Sequence, residues 1–170
     1  MDFLSLADSR YSCRKYSDKA VEPEKIEQIR LAGRSAPTAH NNQPQEIIVL
    51  RSEEALKLLE KCTVCRYHAP LAFIICYRKS RAWVREYDGK CSGDVDASIV
   101  TTHMTLEAAD LGLGSTWVMS FDPAELRRAF DLAENLVPAA LLPTGYPADD
   151  AAPADLHTKF RPTEEMVKYR

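Results

Sequence analysis

The chain has 170 residues, which fits one compact domain or a subunit that is completed by dimerisation. Its content of 45% hydrophobic and 28% charged residues is ordinary for a soluble globular protein. The formal net charge of -3 argues against a nucleic-acid-binding surface as the main role, although a local basic pocket is still compatible with it.

The sequence indicates a cytoplasmic protein without a membrane partner. Its apolar runs are too short to span a bilayer, and the opening residues lack the charge and apolar core of a signal peptide. Five cysteines, an odd number, argue against a disulfide framework in such a chain.

A basic cluster lies near the N-terminus, where Arg10, Ser12 and Arg14 alternate with Tyr11 and Cys13. Arginine offers a planar fork of donors and serine adds a hydroxyl, so such a cluster can grip an anion. The next element is a helix that begins at Pro23, a residue favoured in the first turn, and that we expect to run to about residue 34.

A polar turn from Ala36 to Pro44 follows, with the sequence Ala-Pro-Thr-Ala-His-Asn-Asn-Gln-Pro, and it leads into an apolar strand at Ile47–Leu50. Amide side chains both donate and accept hydrogen bonds, which suits a heterocycle with carbonyls and ring nitrogens. A basic cluster suited to a phosphate, combined with an amide-rich turn suited to a heterocycle, indicates a nucleotide-like cofactor.

Ser52 is placed to cap a helix with Glu53 and Glu54 in its first turn. That helix ends before Cys62 and Cys65, whose spacing occurs in redox and zinc sites. A zinc site needs two further ligands, and the chain has no second CxxC and no HxxxH. A packed or half-exposed thiol pair is therefore the favoured interpretation.

A continuous apolar strand is predicted at Leu71–Tyr77, and the polar segment Arg81–Ser92 is predicted to be a loop or an excursion. A helix follows and stops at Gly112, a residue that readily adopts the left-handed conformation. Apolar residues three and four apart predict its buried face, which consists of Val95, Ile99, Thr102, Leu106 and Ala109.

Thr116–Met119 is predicted to be a strand, and Asp122-Pro123-Ala124-Glu125 carries a cap, a first-turn proline and a capping-box glutamate. The last clear strand is Ala139–Leu142. A Rossmann site needs glycines after a strand and before a helix, whereas Gly112-Leu113-Gly114 has the reverse placement. The tail from Ala148 is rich in Pro and Asp until it reaches a second basic cluster around Lys159-Phe160-Arg161.

Several motifs occur in order along nearly the whole chain. They are Arg-x-Ser-x-Arg-x-Tyr from Arg10, Ala-Pro-Thr-Ala-x-Asn-x-Gln-Pro from Ala36, Ala-Pro at residues 69–70, Leu-Gly-Leu-Gly-Ser-Thr-Trp from Leu111, Leu-Pro-Thr-Gly-Tyr-Pro from Leu142, and a terminal Lys-x-Arg. In this order they resemble the FMN-dependent nitroreductase family.

This resemblance implies an α+β fold with a central, mostly antiparallel sheet flanked by helices, in an intertwined homodimer with FMN at the subunit boundaries. Residues 1–170 would form one nitroreductase-like domain, and the tail from about 148 to 170 would cross to the partner subunit. A tail with little apolar periodicity would be poorly ordered unless it docks.

The resemblance also assigns roles to residues. Arg10 and Ser12 would hold the phosphate or ribityl chain together with Lys159 and Arg161, and Arg14 would lie near the pyrimidine end of the flavin. The other implied contacts are Tyr11, then Pro37, Thr38 and Ala39 from the partner, Asn41 and Gln43 at the polar edge of the ring, and Pro143, Thr144 and Gly145 near flavin N5. No side chain is expected to be catalytic and no metal is expected.

The implied function is hydride transfer from NADH or NADPH through flavin N5 to a nitroaromatic, quinone or similar small acceptor by a ping-pong mechanism. The chain departs from the family pattern in two places that shape the acceptor pocket: Gln45 stands where relatives often have an aromatic residue, and Arg81–Ser92 is a short cover for the flavin. The alternatives are a flavin-binding protein without turnover, a CxxC thiol or metal module, and a relative that fragments or dehalogenates its substrate through reduced flavin.

Overall fold

The computed structural model describes residues 2–170. Its helices are α1 (Phe3–Ser9), α2 (Pro23–Ser35), α3 (Glu53–Glu60), α4 (Gly93–Asp110), α5 (Pro123–Ala129) and α6 (Thr163–Met166), with a short 3-10 turn at Ala39–Asn41. Its strands are β1 (Gln45–Leu50), β2 (Leu71–Arg78), β3 (Gly114–Ser115) and β4 (Leu136–Gly145).

The strands form one four-stranded sheet in the order β1-β2-β4-β3, and every neighbouring pair is antiparallel. Gln45 pairs with Tyr77 at one end of β2, whereas Leu71 pairs with Thr144 at the other end. The predicted α+β class with a mostly antiparallel central sheet is therefore confirmed.

The continuous apolar character of β2 follows from its central position, because successive side chains of a strand point to opposite faces. Phe73 and Ile75 pack with α2 and α4 on one face, while Ile74 and Cys76 pack with α3 and α5 on the other. Helices thus cover both faces of the sheet.

Helix starts were well predicted from local sequence. Pro23 occupies the first turn of α2, and the Ser52 side chain accepts a hydrogen bond from the Ala55 N–H at the start of α3. The Asp122 carboxylate accepts from the N–H groups of Ala124 and Glu125, which satisfies two otherwise unpaired donors of α5.

The predicted buried face of α4 was wrong for the single chain. Val95 is 50% exposed and Thr102 is also exposed, whereas the face that packs on the sheet carries Ala97, Val100 and Met104. The apolar stripe exists, but this helix has two apolar faces, and the sheet takes the one with the smaller side chains.

The predicted strand at Thr116–Met119 was wrong in its bounds. Pairing with β4 covers Gly114–Ser115 and then continues only as a bridge between Val118 and Leu141. Thr116 uses its hydroxyl to donate to the Cys13 carbonyl, so the edge of the sheet is tied to the N-terminal segment here.

The first part of the C-terminal tail packs against its own chain. The Ala148 N–H donates to the Lys15 carbonyl at 3.2 Å, Lys15 pairs with Asp150, and a His157 ring nitrogen lies 3.0 Å from the Asp8 carbonyl oxygen. Any crossing to a partner subunit would therefore start after His157. Among the described residues, no helix has the length and apolar character needed to traverse a bilayer.

Candidate functional site

The N-terminal basic cluster is held against the edge of the sheet. The Cys13 N–H donates to the Ser115 carbonyl at 3.0 Å, and Ser12 forms a parallel bridge with Ser115. The Tyr16 hydroxyl lies 2.7 Å from the Cys13 carbonyl oxygen and 3.1 Å from that of Pro143, and burial raises the pKa of Tyr16. These bonds fix the backbone on which the cluster is presented.

The cluster lines a cavity of about 280 Å³ together with the tail. Its lining residues are Arg10, Tyr11, Ser12, Arg14, Ala154, Leu156 and His157. The Tyr11 and His157 rings meet edge to face at 6.3 Å. Two guanidinium groups and a hydroxyl around one cavity fit the chemistry of a phosphate or another anion.

Lys159 and Arg161 follow directly after this contact in the sequence, and both are exposed. Within residues 2–170, neither side chain has a hydrogen bond or an ion pair. Lys159 and Arg161 thus follow closely along the chain after His157, which lines the cavity with the first basic cluster. Neither Lys159 nor Arg161 lines the cavity itself.

Arg14 is the more exposed of the two arginines that line the cavity. It is exposed, and its Nη1 donates to the Ser12 carbonyl at 3.3 Å. The pKa of Tyr67 is raised chiefly by a hydrogen bond with the Cys65 thiol and then by burial, while the neighbouring Arg14 guanidinium acts in the opposite direction. The charged guanidinium group of Arg14 is therefore accessible to a ligand and lies beside Tyr67.

The predicted residues on β4 lie close to the same cluster. Thr144 is fully buried between Leu71 of β2 and Ser115 of β3, and Ser115 in turn bridges to Ser12. A side chain at Gly145 would come within 2.7 Å of the Pro70 ring, so this position tolerates only glycine without rearrangement. Pro143 precedes this pair on the same strand.

The amide-rich turn is anchored to the N-terminal end of α4. The Ala39 N–H donates to one carboxylate oxygen of Asp96 at 2.9 Å, and the Ser92 hydroxyl donates to the other at 2.7 Å. Asp96 is only 2% exposed. Sequence reasoning missed this residue, whose one signal was a carboxylate in the first turn of a helix.

The turn itself projects polar groups outward. His40, Asn41 and Gln43 all have positive φ angles, and the Gln43 N–H donates to the Thr38 hydroxyl oxygen at 3.0 Å. Asn41 and Gln43 are exposed, and Pro37 is exposed beside them. The predicted ring-reading residues are therefore accessible to a ligand.

The turn and the basic cluster do not meet within one chain. The turn precedes Gln45, which pairs with Tyr77 at one end of β2, whereas Ser12 lies across the sheet near Leu71 at the other end. The two sites are six residues apart along the strands, at about 3.3 Å per residue, and four strand spacings apart across the sheet, at about 4.8 Å each. These two perpendicular components give a separation of roughly 28 Å. This exceeds the reach of one flavin mononucleotide.

The cysteine pair shows no sign of a reactive site. Cys62 is buried with its thiol 3.6 Å from the Leu58 carbonyl oxygen, and burial raises the pKa of that thiol. Cys65 and the other cysteines are free thiols. Over residues 2–170, no group of three or more potential metal ligands comes together.

Comparison with known proteins gives a consistent result. A family model described as "Nitroreductase family" matches residues 7–67 and 66–146. A relative from Methanothermobacter thermautotrophicus, provisionally named NADH dehydrogenase/NAD(P)H nitroreductase, is 33% identical over an alignment that covers 92% of this chain and 83% of the relative.

Two crystal structures extend the likeness to the fold. A nitroreductase family protein from Clostridium difficile 630 has a TM-score of 0.94 and 44% identity, and the match covers 99% of this chain and 98% of that one. A provisionally named nitroreductase from Desulfovibrio desulfuricans in complex with FMN has a TM-score of 0.82 and 26% identity, covering 98% and 95% of the two chains.

Proposed function

Because the chain belongs to the nitroreductase family, we propose that it is an FMN-dependent oxidoreductase that transfers reducing equivalents from NADH or NADPH to a small acceptor. The acceptor is a nitroaromatic, a quinone or a similar compound, and one pocket serves donor and acceptor in turn, which gives ping-pong kinetics. When bound, FMN supplies the hydride carrier, so no side-chain nucleophile is needed.

The observation that carries this proposal is the cavity that gathers Arg10, Ser12 and Arg14. Arg10 and Ser12 would bind the phosphate and the ribityl chain, with Lys159 and Arg161 contributing further positive charge. Arg14 would lie at the pyrimidine end of the ring, and Tyr11 would line the same pocket. The related structure that contains FMN supports this cofactor for the fold.

The strand residues near the cluster complete one side of the proposed pocket. Thr144 pairs with Ser115, which bridges to Ser12, so the backbone of Thr144 and of its neighbours Pro143 and Gly145 can approach a ring whose phosphate is held by the cluster. In this role the backbone, rather than a side chain, contacts the flavin near N5.

The other side of the pocket would come from a second copy of the chain. Pro37, Thr38, Ala39, Asn41 and Gln43 lie too far from the cluster to contact the same flavin within one subunit. A homodimer resolves this separation, because the turn of one subunit can reach the basic cluster of the other.

An uncovered apolar surface supports the dimer. The exposed face of α4 borders a groove of about 630 Å³ that contains Val95, Ile99, Leu106, Phe3 and Trp117. Exposed apolar patches of this kind are typical of interaction sites. The tail beyond His157 is exposed throughout and would cross to the partner, carrying Lys159 and Arg161.

The test begins with the absorbance spectrum of the purified protein. We expect bound flavin, or flavin absorbance acquired on adding FMN, followed by NAD(P)H oxidation that depends on a quinone or nitroaromatic acceptor. A protein that stays colourless with added FMN would contradict the proposal. Bound FMN without turnover would favour a flavin-binding protein. Bound zinc or a reactive thiol pair, detected by titration in a protein without flavin, would favour a CxxC module.

A further inference from the structure

A second cavity, of about 320 Å³, lies between the amide-rich turn and a hairpin formed by residues 82–92. The hairpin is ordered: Val84 bridges Cys91, and the Arg85 N–H donates to the Lys90 carbonyl at 2.9 Å. The predicted excursion is thus a compact hairpin that forms one wall of a pocket.

One aromatic and several aliphatic side chains form part of the wall of this cavity. Trp83 of the hairpin and Val95 and Ile99 of α4 line it, and Ala39 of the turn borders it. The His40 ring stacks on Trp83 with centroids 5.3 Å apart and planes 18° from parallel. This stack joins the turn to the hairpin, and the walls suit a planar ring.

Lys90 is the cation available to a ligand in this cavity. The other lining cation, Arg85, is engaged by Asp88, with Nε 2.8 Å from the carboxylate. The lining carboxylate of Asp96 has both oxygens occupied by Ala39 and Ser92. In the described part of the chain, by contrast, no hydrogen bond or ion pair holds Lys90 Nζ. The nearby Asp88 carboxylate accepts from the Lys90 N–H at 3.2 Å, and the hydrogen bond from Arg85 lowers the pKa of Asp88 more than the charge of Lys90 does.

We propose that this cavity takes an acceptor with an aromatic ring and a carboxylate, and that Lys90 selects it over a neutral acceptor of the same shape. The ring would lie among Trp83, Val95 and Ile99, and the carboxylate would face the ammonium group of Lys90. This inference rests on the proposed function, because Ala39 belongs to the turn assigned to the flavin.

The carboxylate of an acidic acceptor and the phosphate of NADPH are both anions, so Lys90 would attract either of them. The compact cavity places the cation beside apolar walls, which favours an aromatic acid over a phosphate at the end of a long dinucleotide. Steady-state kinetics distinguish the two sources. A Lys90→Ala effect confined to the KM for NADPH would overturn the proposal.

Binding to the FMN-loaded protein provides the direct test. Isothermal titration calorimetry with 4-nitrobenzoate and 4-nitrobenzamide should show about two- to fivefold tighter binding of the acid, an effect of the size expected for one exposed ion pair. The preference should disappear in Lys90→Ala, persist in Lys90→Arg, and weaken at high salt. Lys79→Ala removes another exposed lysine and should retain the preference.

The same pair of compounds, used as acceptors, separates this inference from the proposed function. Equal affinities for acid and amide, or a preference that survives in Lys90→Ala, would overturn the inference even if NAD(P)H-dependent turnover is observed. A Lys90-dependent preference in the absence of turnover would support the anion site and contradict the proposed reductase activity.

Discussion

Arg14 differs from Arg10 in its surroundings, although both line the same cavity. Arg10 is partly buried, whereas Arg14 is exposed, and among residues 2–170 it contacts the Ser12 carbonyl at 3.3 Å and lies beside Tyr67. A cation at the pyrimidine end of a flavin stabilises the negative charge of the reduced ring. The two arginines should therefore affect different properties of the bound cofactor.

Arg14→Ala should lower the reduction potential of bound FMN by about 30–60 mV, which corresponds to about a ten- to hundredfold change for a two-electron couple. It should slow hydride acceptance while changing the affinity for oxidised FMN less. Spectroelectrochemistry at saturating FMN measures the potential, and Arg14→Lys should retain most of it because the charge is kept.

Arg10→Ala is the matched comparison and should weaken FMN binding itself by roughly 1.5–3 kcal/mol, the cost of a lost charge-assisted bond. An unchanged potential in Arg14→Ala would remove the role assigned to that residue. It would leave the cofactor assignment intact, because the affinity effect of Arg10 is measured independently.

A carboxylate that does not line this cavity gives a pH-dependent prediction. The Tyr146 hydroxyl donates to Glu22 at 2.7 Å, and this bond together with the local backbone lowers the pKa of Glu22 to about 2. Because the folded-state pKa lies below the ordinary value, the stabilisation is fully present above about pH 4.5 and is lost as the pH falls toward 2.

Tyr146→Phe should therefore lower the urea midpoint near neutral pH, and its difference from the wild type should shrink as the pH falls from about 4.5 toward 2. The ring beneath Lys19 is retained in this variant, so the comparison isolates the hydroxyl. A difference that stays constant across this pH range would contradict the hydrogen-bond assignment.

At the scale of elements, the attachment of the amide-rich turn to α4 depends on one buried carboxylate. Asp96→Ala would leave the Ala39 N–H and the Ser92 hydroxyl without their acceptor, so we expect a loss of about 2–3 kcal/mol in the free energy of unfolding. Chemical denaturation measures this loss, and hydrogen exchange at the Ala39 amide should accelerate.

Asp94→Ala is the control, since Asp94 is exposed in the same helical turn and should contribute less than about 1 kcal/mol. Asp96→Asn should fall between the two variants, because one side-chain carbonyl oxygen is kept. Equal effects of Asp94→Ala and Asp96→Ala would indicate that the turn is held by other contacts.

The elements show what local sequence can predict. The starts of α2, α3 and α5 were predicted because Pro23, Ser52 and Asp122 act on donors only a few residues away. Asp96 was missed because its partner Ala39 lies 57 positions earlier in the chain, a relation that only the folded structure provides.

For the site, too, local features could be predicted from the sequence and long-range relations could not. The order of the motifs predicted which segments carry binding groups, and the structure places Arg10, Ser12 and Arg14 in one cavity. The distance between that cavity and the amide-rich turn depends on the strand order β1-β2-β4-β3, which no local pattern specifies.

The apolar stripe of α4 that faces away from the sheet indicates how two chains would assemble. Periodicity identified an apolar stripe but could not state what covers it. In the single chain the stripe lines open grooves of about 630 and 730 Å³, and Leu106 borders both of them. A second copy of the chain would cover the part of this stripe around Leu106 and would bring the turn of one subunit to the basic cluster of the other.

The dimer makes Leu106→Glu the most informative single variant. A carboxylate buried in an apolar interface without a partner is costly, so the dimer dissociation constant should rise by at least about 100-fold, equivalent to about 2.7 kcal/mol. Sedimentation at micromolar concentration should then report two chains for the wild type and one for the variant. FMN affinity should fall with the dimer, because each proposed site takes residues from both subunits. Lys57→Glu introduces a carboxylate on α3, across the sheet. It breaks the exposed ion pair of Lys57 with Glu53, which should cost less than about 1 kcal/mol of folding stability, so neither property should change. A wild-type monomer that binds FMN tightly would contradict the shared site, because one chain would then hold the cofactor without the amide-rich turn of a partner.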